Sequence, residues 1–425
     1  MEWPRARRRS LSNPWLRTTC CPDSVAKILL LYASYGDGHR QVAAALTDAL
    51  EVAGHEVHSV DMMRSANPVF AAWTERLYEL LTRYFPIVYG WSYRLTASLS
   101  TRHWLWRVLS VSTRRSAWRA VGDYQPDVVV QLFSDHALRP PIPASLRMPR
   151  RLVVLTDYAL HSRWFYPSGG AYILPSARLV VRAQREYGVE DPLLALGIPV
   201  RREFWSAAEG HCAPNITHAG RDDGGMLDRH DFSCDSPSPK TREGSTPYVL
   251  VLTGGRGVFP QLKKVVRTLR QERREETVVV LCGRNQTMYD RLNEEFSGDP
   301  QVSVRGYLAH VRPLLSGASW VVTKAGGVTI AECLAVGVPL LFFRPTPGQE
   351  FENARFVSES GAGILVKNLS QLETALRGLS SDMLAEWRLA AARLGQPEAA
   401  TKVVQLLENW QGTEALVGQP ETVGQ

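Results

Sequence analysis

No stretch of 18 consecutive apolar side chains occurs in the 425 residues, so a membrane-spanning helix is excluded and membrane contact has to be peripheral. The six cysteines (Cys20, Cys21, Cys212, Cys234, Cys282, Cys333) contain no C-x-x-C pair. This argues against a disulfide framework or zinc ribbon and for a reducing, cytoplasmic compartment. The opening residues are basic but lack the apolar core of a secretory signal. No D-x-D triplet is present. Acidic residues are nearly missing from one long stretch: Phe70–Arg119 holds only Glu75 and Glu79, beside eight arginines and eleven aromatics.

With 44% hydrophobic residues the chain suits two domains that each bury a core. The net charge of +7 is compatible with nucleic acid, anionic lipid or a phosphorylated substrate. Nucleic acid is set aside, because the arginines cluster with aromatics in one segment and no recognised module appears. The expected division is a flexible basic arm at 1–24, a first domain at 25–205, a polar linker or insertion at 206–247, a second domain at 248–411 and a flexible tail at 412–425.

The organising stretch is Lys27–Leu46. An apolar run, Ile28–Leu31, leads into Gly36-Asp37-Gly38-His39, and Val42, Ala45, Leu46, Ala49 and Leu50 then recur at helical spacing. Strand, glycine-rich turn and helix bring backbone N–H groups and a positive helix end toward an anion, with His39 at the lip and placed for proton transfer. Asp127–Leu132 and Arg151–Thr156 are continuous apolar runs, the mark of strands covered on both faces. The second run ends in Thr156-Asp157-Tyr158-Ala159-Leu160-His161, polar groups at the carboxyl end of a parallel strand, where open α/β sheets bind ligands. Trp and Arg together in 70–119 suit the water–lipid boundary, with short helices broken near Pro86 and Gly90. In 206–247 the His and Cys spacings fit no standard metal-ligand pair.

The second half repeats the plan. Tyr248–Thr253 runs into Gly254-Gly255-Arg256-Gly257, Thr277–Leu281 into Cys282-Gly283-Arg284-Asn285, and Val302–Val304 into Arg305-Gly306-Tyr307. Trp320–Val322 then enters Thr323-Lys324-Ala325-Gly326-Gly327-Val328-Thr329. There Gly326 and Gly327 open a helix N-terminus to a pyrophosphate, Lys324 and Thr329 can donate to phosphate oxygens, and Glu332 can accept from ribose hydroxyls. Glu350 and Asn353 share a helix face and can bond sugar hydroxyls. The expectation is an α/β protein with two doubly wound, Rossmann-like domains facing across a cleft.

Seven pieces in order resemble one family: YASYGDGH (Tyr32–His39), RYFPIVYGWSYRLT (Arg83–Thr96), TDYALHSRW (Thr156–Trp164), LGIPVRREF (Leu196–Phe204), CGRN (Cys282–Asn285), VRGY (Val304–Tyr307) and TKAGGVTIAE…VPLLFF…PGQE..N (Thr323–Asn353). The chain is thereby similar to the monogalactosyldiacylglycerol synthase and processive diacylglycerol glucosyltransferase family. These are GT-B glycosyltransferases distantly similar to the enzyme that adds N-acetylglucosamine to lipid I.

The resemblance implies an inverting transfer of a hexose, glucose ahead of galactose, from a UDP-sugar to diacylglycerol. The protein would sit peripherally on the inner face of the cell membrane, with anionic lipids as further partners. His39 would be the general base. The donor would be held by Gly254, Gly255, Arg284, Arg305, Tyr307, Lys324, Gly326, Gly327, Thr329, Glu332 (ribose), Gln349, Glu350 and Asn353 (sugar). The acceptor and membrane side would comprise Gly36, Gly38, Tyr84, Phe85, Tyr89, Trp91, Asp157, Tyr158 and His161. No cofactor and no metal are expected, in agreement with the missing D-x-D. Another lipid acceptor (polyprenyl or sterol-like), a non-catalytic UDP-sugar sensor, and an oligomeric state that includes a homo-oligomer stay open.

Overall fold

The computed structural model describes residues 25–34, 37–166, 170–205 and 247–417. The basic arm, Gly36, residues 206–246 of the linker with their His and Cys residues, and the end of the tail lie outside these.

The first domain contains β1 (Lys27–Tyr32), α1 (Asp37–Val52), β2 (Glu56–Asp61), α2 (Met62–Ala66), α3 (Pro68–Tyr84), α4 (Pro86–Ala97), α5 (Trp104–Leu109) and α6 (Val111–Tyr124). It continues with β3 (Val128–Gln131), β4 (Arg150–Val154), β5 (Ala171–Leu174), α7 (Ala177–Tyr187) and β6 (Leu193–Ala195). Its six strands run in the order β2-β1-β3-β4-β5-β6, all parallel. Period-two alternation sorts the β1 side chains: Ile28 and Leu30 join Val42, Leu46 and Leu50 of α1, while Leu29 and Leu31 join Met62, Trp118 and Val121 on the other face. A strand covered on both sides has to be apolar throughout, and this one is.

The second domain holds β7 (Tyr248–Leu252), α8 (Leu262–Glu272), β8 (Thr277–Leu281), α9 (Gln286–Phe296), β9 (Val302–Arg305), α10 (Arg312–Gly317) and β10 (Trp320–Thr323). Then follow α11 (Gly327–Ala335), β11 (Leu340–Phe343), α12 (Gln349–Glu359), β12 (Gly363–Val366), α13 (Leu369–Gly378), α14 (Ser381–Leu394) and α15 (Ala399–Val417). Its sheet is again six-stranded and parallel, in the order β12-β11-β10-β7-β8-β9. The expected fold class is observed.

Two features depart from expectation. Helix α15, counted by position with the second domain, crosses back onto the first: it packs on α1, and Arg150 Nη1 donates to the Trp410 carbonyl at 2.8 Å. Gly90 does not break the chain. The break is at Phe85–Pro86, and α4 runs through Gly90, whose missing side chain lets the helix press directly on Pro347 of the second domain.

Candidate active site

The carboxyl ends of the two sheets face each other. From the first domain come the start of α1 with Asp37, Gly38 and His39, and the turn after β4 with Thr156 and Asp157. From the second come the turn after β10 with Lys324–Gly327, and the start of α12. Contact is close because glycine makes it so: a Cβ on Gly327 would overlap the Thr156 carbonyl, one on Gly255 would overlap the Asp37 carboxylate, and Gly38 lies against Val328.

At the centre stands His39, half-buried, its ring edge-on to Phe133 at 5.4 Å. Its Nδ1 lies 3.0 Å from Thr156 Oγ1, and that hydroxyl also reaches Asp157 Oδ2 at 3.3 Å. Burial lowers the pKa of His39, while the Asp157 charge and the Leu132 carbonyl pull it back up. Burial raises the pKa of Asp157, and His39 leads the groups that oppose the rise. The imidazole is thus held toward its neutral form, the form a base needs.

Asp157, expected on the acceptor side, lies between the domains. It is 6% exposed, and two amides of α12 donate to it: Asn353 Nδ2 to Oδ1 at 2.9 Å, and Gln349 Nε2 to Oδ2. Asn353, expected at the sugar, is fully buried and also donates to the Ala325 carbonyl at 2.9 Å; only its Oδ1 has no partner. Tyr158 is buried and stacks on Phe356 at 5.2 Å, a packing role rather than an acceptor contact.

The donor-side residues converge. Lys324 Nζ pairs with Glu350 Oε1 at 3.1 Å, and Glu350 Oε2 accepts from the Thr346 N–H at 2.8 Å, so Glu350 also holds the turn before its own helix. Thr329 stands one turn into α11, close to Gly326. Arg284 stacks over Tyr307 at 4.1 Å and reaches Asp37 at 3.5 Å, linking the domains. Arg305 is half-buried beside Ser303, and Gly254 takes the positive φ of its turn at +79°. Glu332 is buried and accepts from Arg201 Nε at 2.9 Å; burial pushes its pKa up to about 6. Arg201 also pairs with Glu203 at 3.2 Å. A cavity of about 600 Å³ opens beside this pair, lined among others by Arg40, Thr47, Arg201 and His310.

On the first domain, α3, α4 and α5 carry the apolar surface. Trp73, Tyr84, Phe85, Ile87, Trp91 and Trp104 are all more than half exposed, at 58% to 80%. Of the eleven aromatics in the segment only Trp106 and Trp118 are fully buried, so these helices do not form a self-contained core. Arg76, Arg94, Arg102 and Arg107 are exposed among them. Tyr89 does not belong to this surface: it packs on Tyr78 and against Gly348. His161 bonds Thr96 Oγ1 through Nε2 at 3.1 Å and packs on Tyr93, and burial pushes its pKa down to about 4. A cavity of about 500 Å³, lined by Tyr93, Arg94, Leu160, Tyr187, Glu352 and Arg355 among others, runs between α4, α7 and α12 beside this surface. No described helix is long and apolar enough to cross a membrane.

Thr156 and Arg201 are the two site residues that sequence reasoning missed. Both lie inside the motifs TDYALHSRW and LGIPVRREF, but their partners are 117 and 131 residues away.

Residues 39–200 match the model of the monogalactosyldiacylglycerol (MGDG) synthase family, and residues 249–403 that of the glycosyltransferase family 28 C-terminal domain. The chain is 25% identical over 368 residues to the processive diacylglycerol beta-glucosyltransferase of Bacillus subtilis (strain 168), covering 84% of this chain and 87% of that one. It is 24% identical over 375 residues to the enzyme of the same name from Staphylococcus carnosus (strain TM300), covering 84% and 88%. Among solved structures it is similar to CalG4, the calicheamicin glycosyltransferase, with a TM-score of 0.52 at 18% identity, covering 92% of this chain and all of that one. The glycosyltransferase SsfS6 from Streptomyces sp. SF2575, complexed with thymidine diphosphate, gives 0.50 at 18% identity, covering 90% and 99%. These two establish the GT-B fold.

Proposed function

Starting from a glycosyltransferase whose first half matches the MGDG synthase model and which is similar to processive diacylglycerol glucosyltransferases, we propose that this chain moves glucose, with inversion, from UDP-glucose to diacylglycerol at the inner face of the cell membrane. The observation that carries the reading is the meeting of His39, backed by Thr156 and Asp157, with the glycine-opened N-terminus of α11 across one cleft.

The two halves of the reaction divide between the domains. His39 takes the proton from the acceptor hydroxyl as its oxygen attacks the anomeric carbon, a contribution of about 10²–10⁴-fold. The bond to the diphosphate breaks on the opposite face, and UDP leaves with the electron pair. Its growing charge meets the N–H groups of Gly326 and Gly327 and the Lys324 ammonium, so none of these steps calls for a metal. Glu332 takes the ribose, the 305–308 turn the base and Glu350 the sugar, while Gln349 and Asn353, expected there as well, hold Asp157.

The lipid arrives along α3–α5, whose exposed Trp and Phe rings suit headgroup depth while the arginines meet anionic phosphates. The 500 Å³ cavity between α4 and α12 lies beside that surface, with Tyr93 as a wall shared with the Asp157 side.

The test is UDP release by purified protein with UDP-glucose and UDP-galactose in parallel, with and without diacylglycerol in mixed micelles. Lipid-dependent release that favours glucose supports the reading. Lipid-dependent release that favours galactose overturns the donor. Tight UDP binding with no release overturns the acceptor and directs the search to polyprenyl or sterol-like lipids, or to a sensor.

A further inference from the structure

Two of the three hydrogen bonds that hold the Asp157 carboxylate come from the other domain. Gln349 and Asn353 both sit on α12, and Asn353 is tied as well to the Ala325 carbonyl in the turn that opens α11. One unbroken line of bonds therefore runs from the pyrophosphate turn through Asn353, Asp157 and Thr156 to His39.

We propose that Gln349 and Asn353 are positioning residues for the base: through Asp157 and the Thr156 hydroxyl they set which imidazole nitrogen of His39 carries the proton, so that the base is prepared when the donor domain is docked. The inference rests on His39 being the base of the transfer. A carboxylate only accepts, and Thr156 has a single hydroxyl proton. Donated to Asp157 Oδ2, that proton leaves the Thr156 oxygen to accept from His39 Nδ1–H at 3.0 Å, the Leu132 carbonyl being the other acceptor at this ring. Nε2 then holds the free lone pair. In the transfer, the acceptor hydroxyl gives its proton to Nε2 while its oxygen bonds the anomeric carbon and the bond to UDP breaks. The resulting imidazolium charge is balanced by Asp157 through Thr156. With the α12 amides removed, Asp157 loses both anchors that hold its plane, and the Thr156 proton is free to turn onto Nδ1. That leaves the proton on Nε2 and no base toward the acceptor.

The roles of these amides are separable from sugar contact. A residue that only grips the sugar changes the donor KM and the choice between glucose and galactose; one that orients the base changes kcat.

The experiment uses full-length protein labelled with ¹⁵N-histidine and saturated with UDP, with the His39 resonances assigned by difference from His39→Ala. The wild type is expected to show Nδ1–H, and Thr156→Val to show Nε2–H. Thr156→Val should also lower kcat by about 10²-fold or more, as other enzymes lose rate when the wrong tautomer is populated. Its donor KM should stay within about threefold, and Thr156→Ser should recover most of the rate. Gln349→Met is expected to lower kcat about tenfold with donor KM and sugar preference unchanged. Nε2–H in the wild type, wild-type kcat in Thr156→Val, or a raised donor KM at unchanged kcat in Gln349→Met each overturn the proposal. The wild-type spectrum decides even where a variant fails to fold. Failure of the base assignment shows elsewhere, as turnover retained by His39→Ala.

Discussion

Arg201 Nε lies 2.9 Å from Glu332 Oε1, so the carboxylate assigned to the ribose already holds a cation from the segment that leaves the first domain. The pair is buried at its Glu end and half-exposed at its Arg end. Without Arg201 the carboxylate would be a buried charge with no partner, a costly state that burial already reflects in a pKa near 6.

Glu332→Ala should weaken UDP binding about 10- to 100-fold, the range of a hydrogen bond to a charged group, with kcat at saturating donor changed less. Isothermal calorimetry checks it; unchanged affinity removes Glu332 from the ribose site. Because only the ionised carboxylate is the stronger acceptor, wild-type affinity should fall as pH drops through about 6. The same titration on Glu332→Gln should be flat there.

His39→Ala should abolish transfer while UDP affinity stays within about threefold, since the base touches the acceptor and not the nucleotide. In the wild type, burial sets the acid limb of kcat/KM below the ordinary histidine value of about 6.5.

Asp157→Asn separates the two influences on that limb. The negative charge of Asp157 raises the His39 pKa, so removing it should move the limb to lower pH, while the plateau rate falls because the imidazolium formed in the transition state loses its counter-charge. A limb that moves upward, or a plateau that is unchanged, contradicts the coupling.

Gly327→Ala should lower transfer at least tenfold, because the added methyl meets the Thr156 carbonyl and the Asp157 side chain and holds the domains apart. Far-ultraviolet circular dichroism should stay unchanged. Turnover like wild type would mean that this contact is not part of the working state.

Replacing Ile87, Trp91 and Leu95 together by Asn should weaken binding to anionic vesicles by about 10² or more, since each fully buried apolar side chain contributes about 1.5–3 kcal/mol. These side chains are exposed, so the melting temperature should hold within a few degrees. Cosedimentation of wild type and variant that agrees within twofold would take α4 off the membrane.

Both doubly wound sheets were legible in the sequence, for a local physical reason. A strand covered on both faces is a continuous apolar run such as Asp127–Leu132, and a turn that must bring backbone to an anion needs glycine, as at Gly326-Gly327. These requirements act within ten residues and leave a mark there. The exposed aromatic face followed from composition, since a segment with eleven aromatics and two acids suits a boundary better than water. Partner choice was decided only by the tertiary structure. Asp157 meets Gln349 and Asn353 across 192 and 196 residues, and nothing in the spacing of α12 says that its amides face a carboxylate of the other domain rather than a sugar. Gly90 shows the same limit at close range: as sequence it is a helix breaker, and in the fold it is an interior helix residue whose bare Cα lets Pro347 approach. Chain periodicity encodes which face of an element is buried. What that face is buried against depends on how two domains dock, and docking leaves no period in the chain.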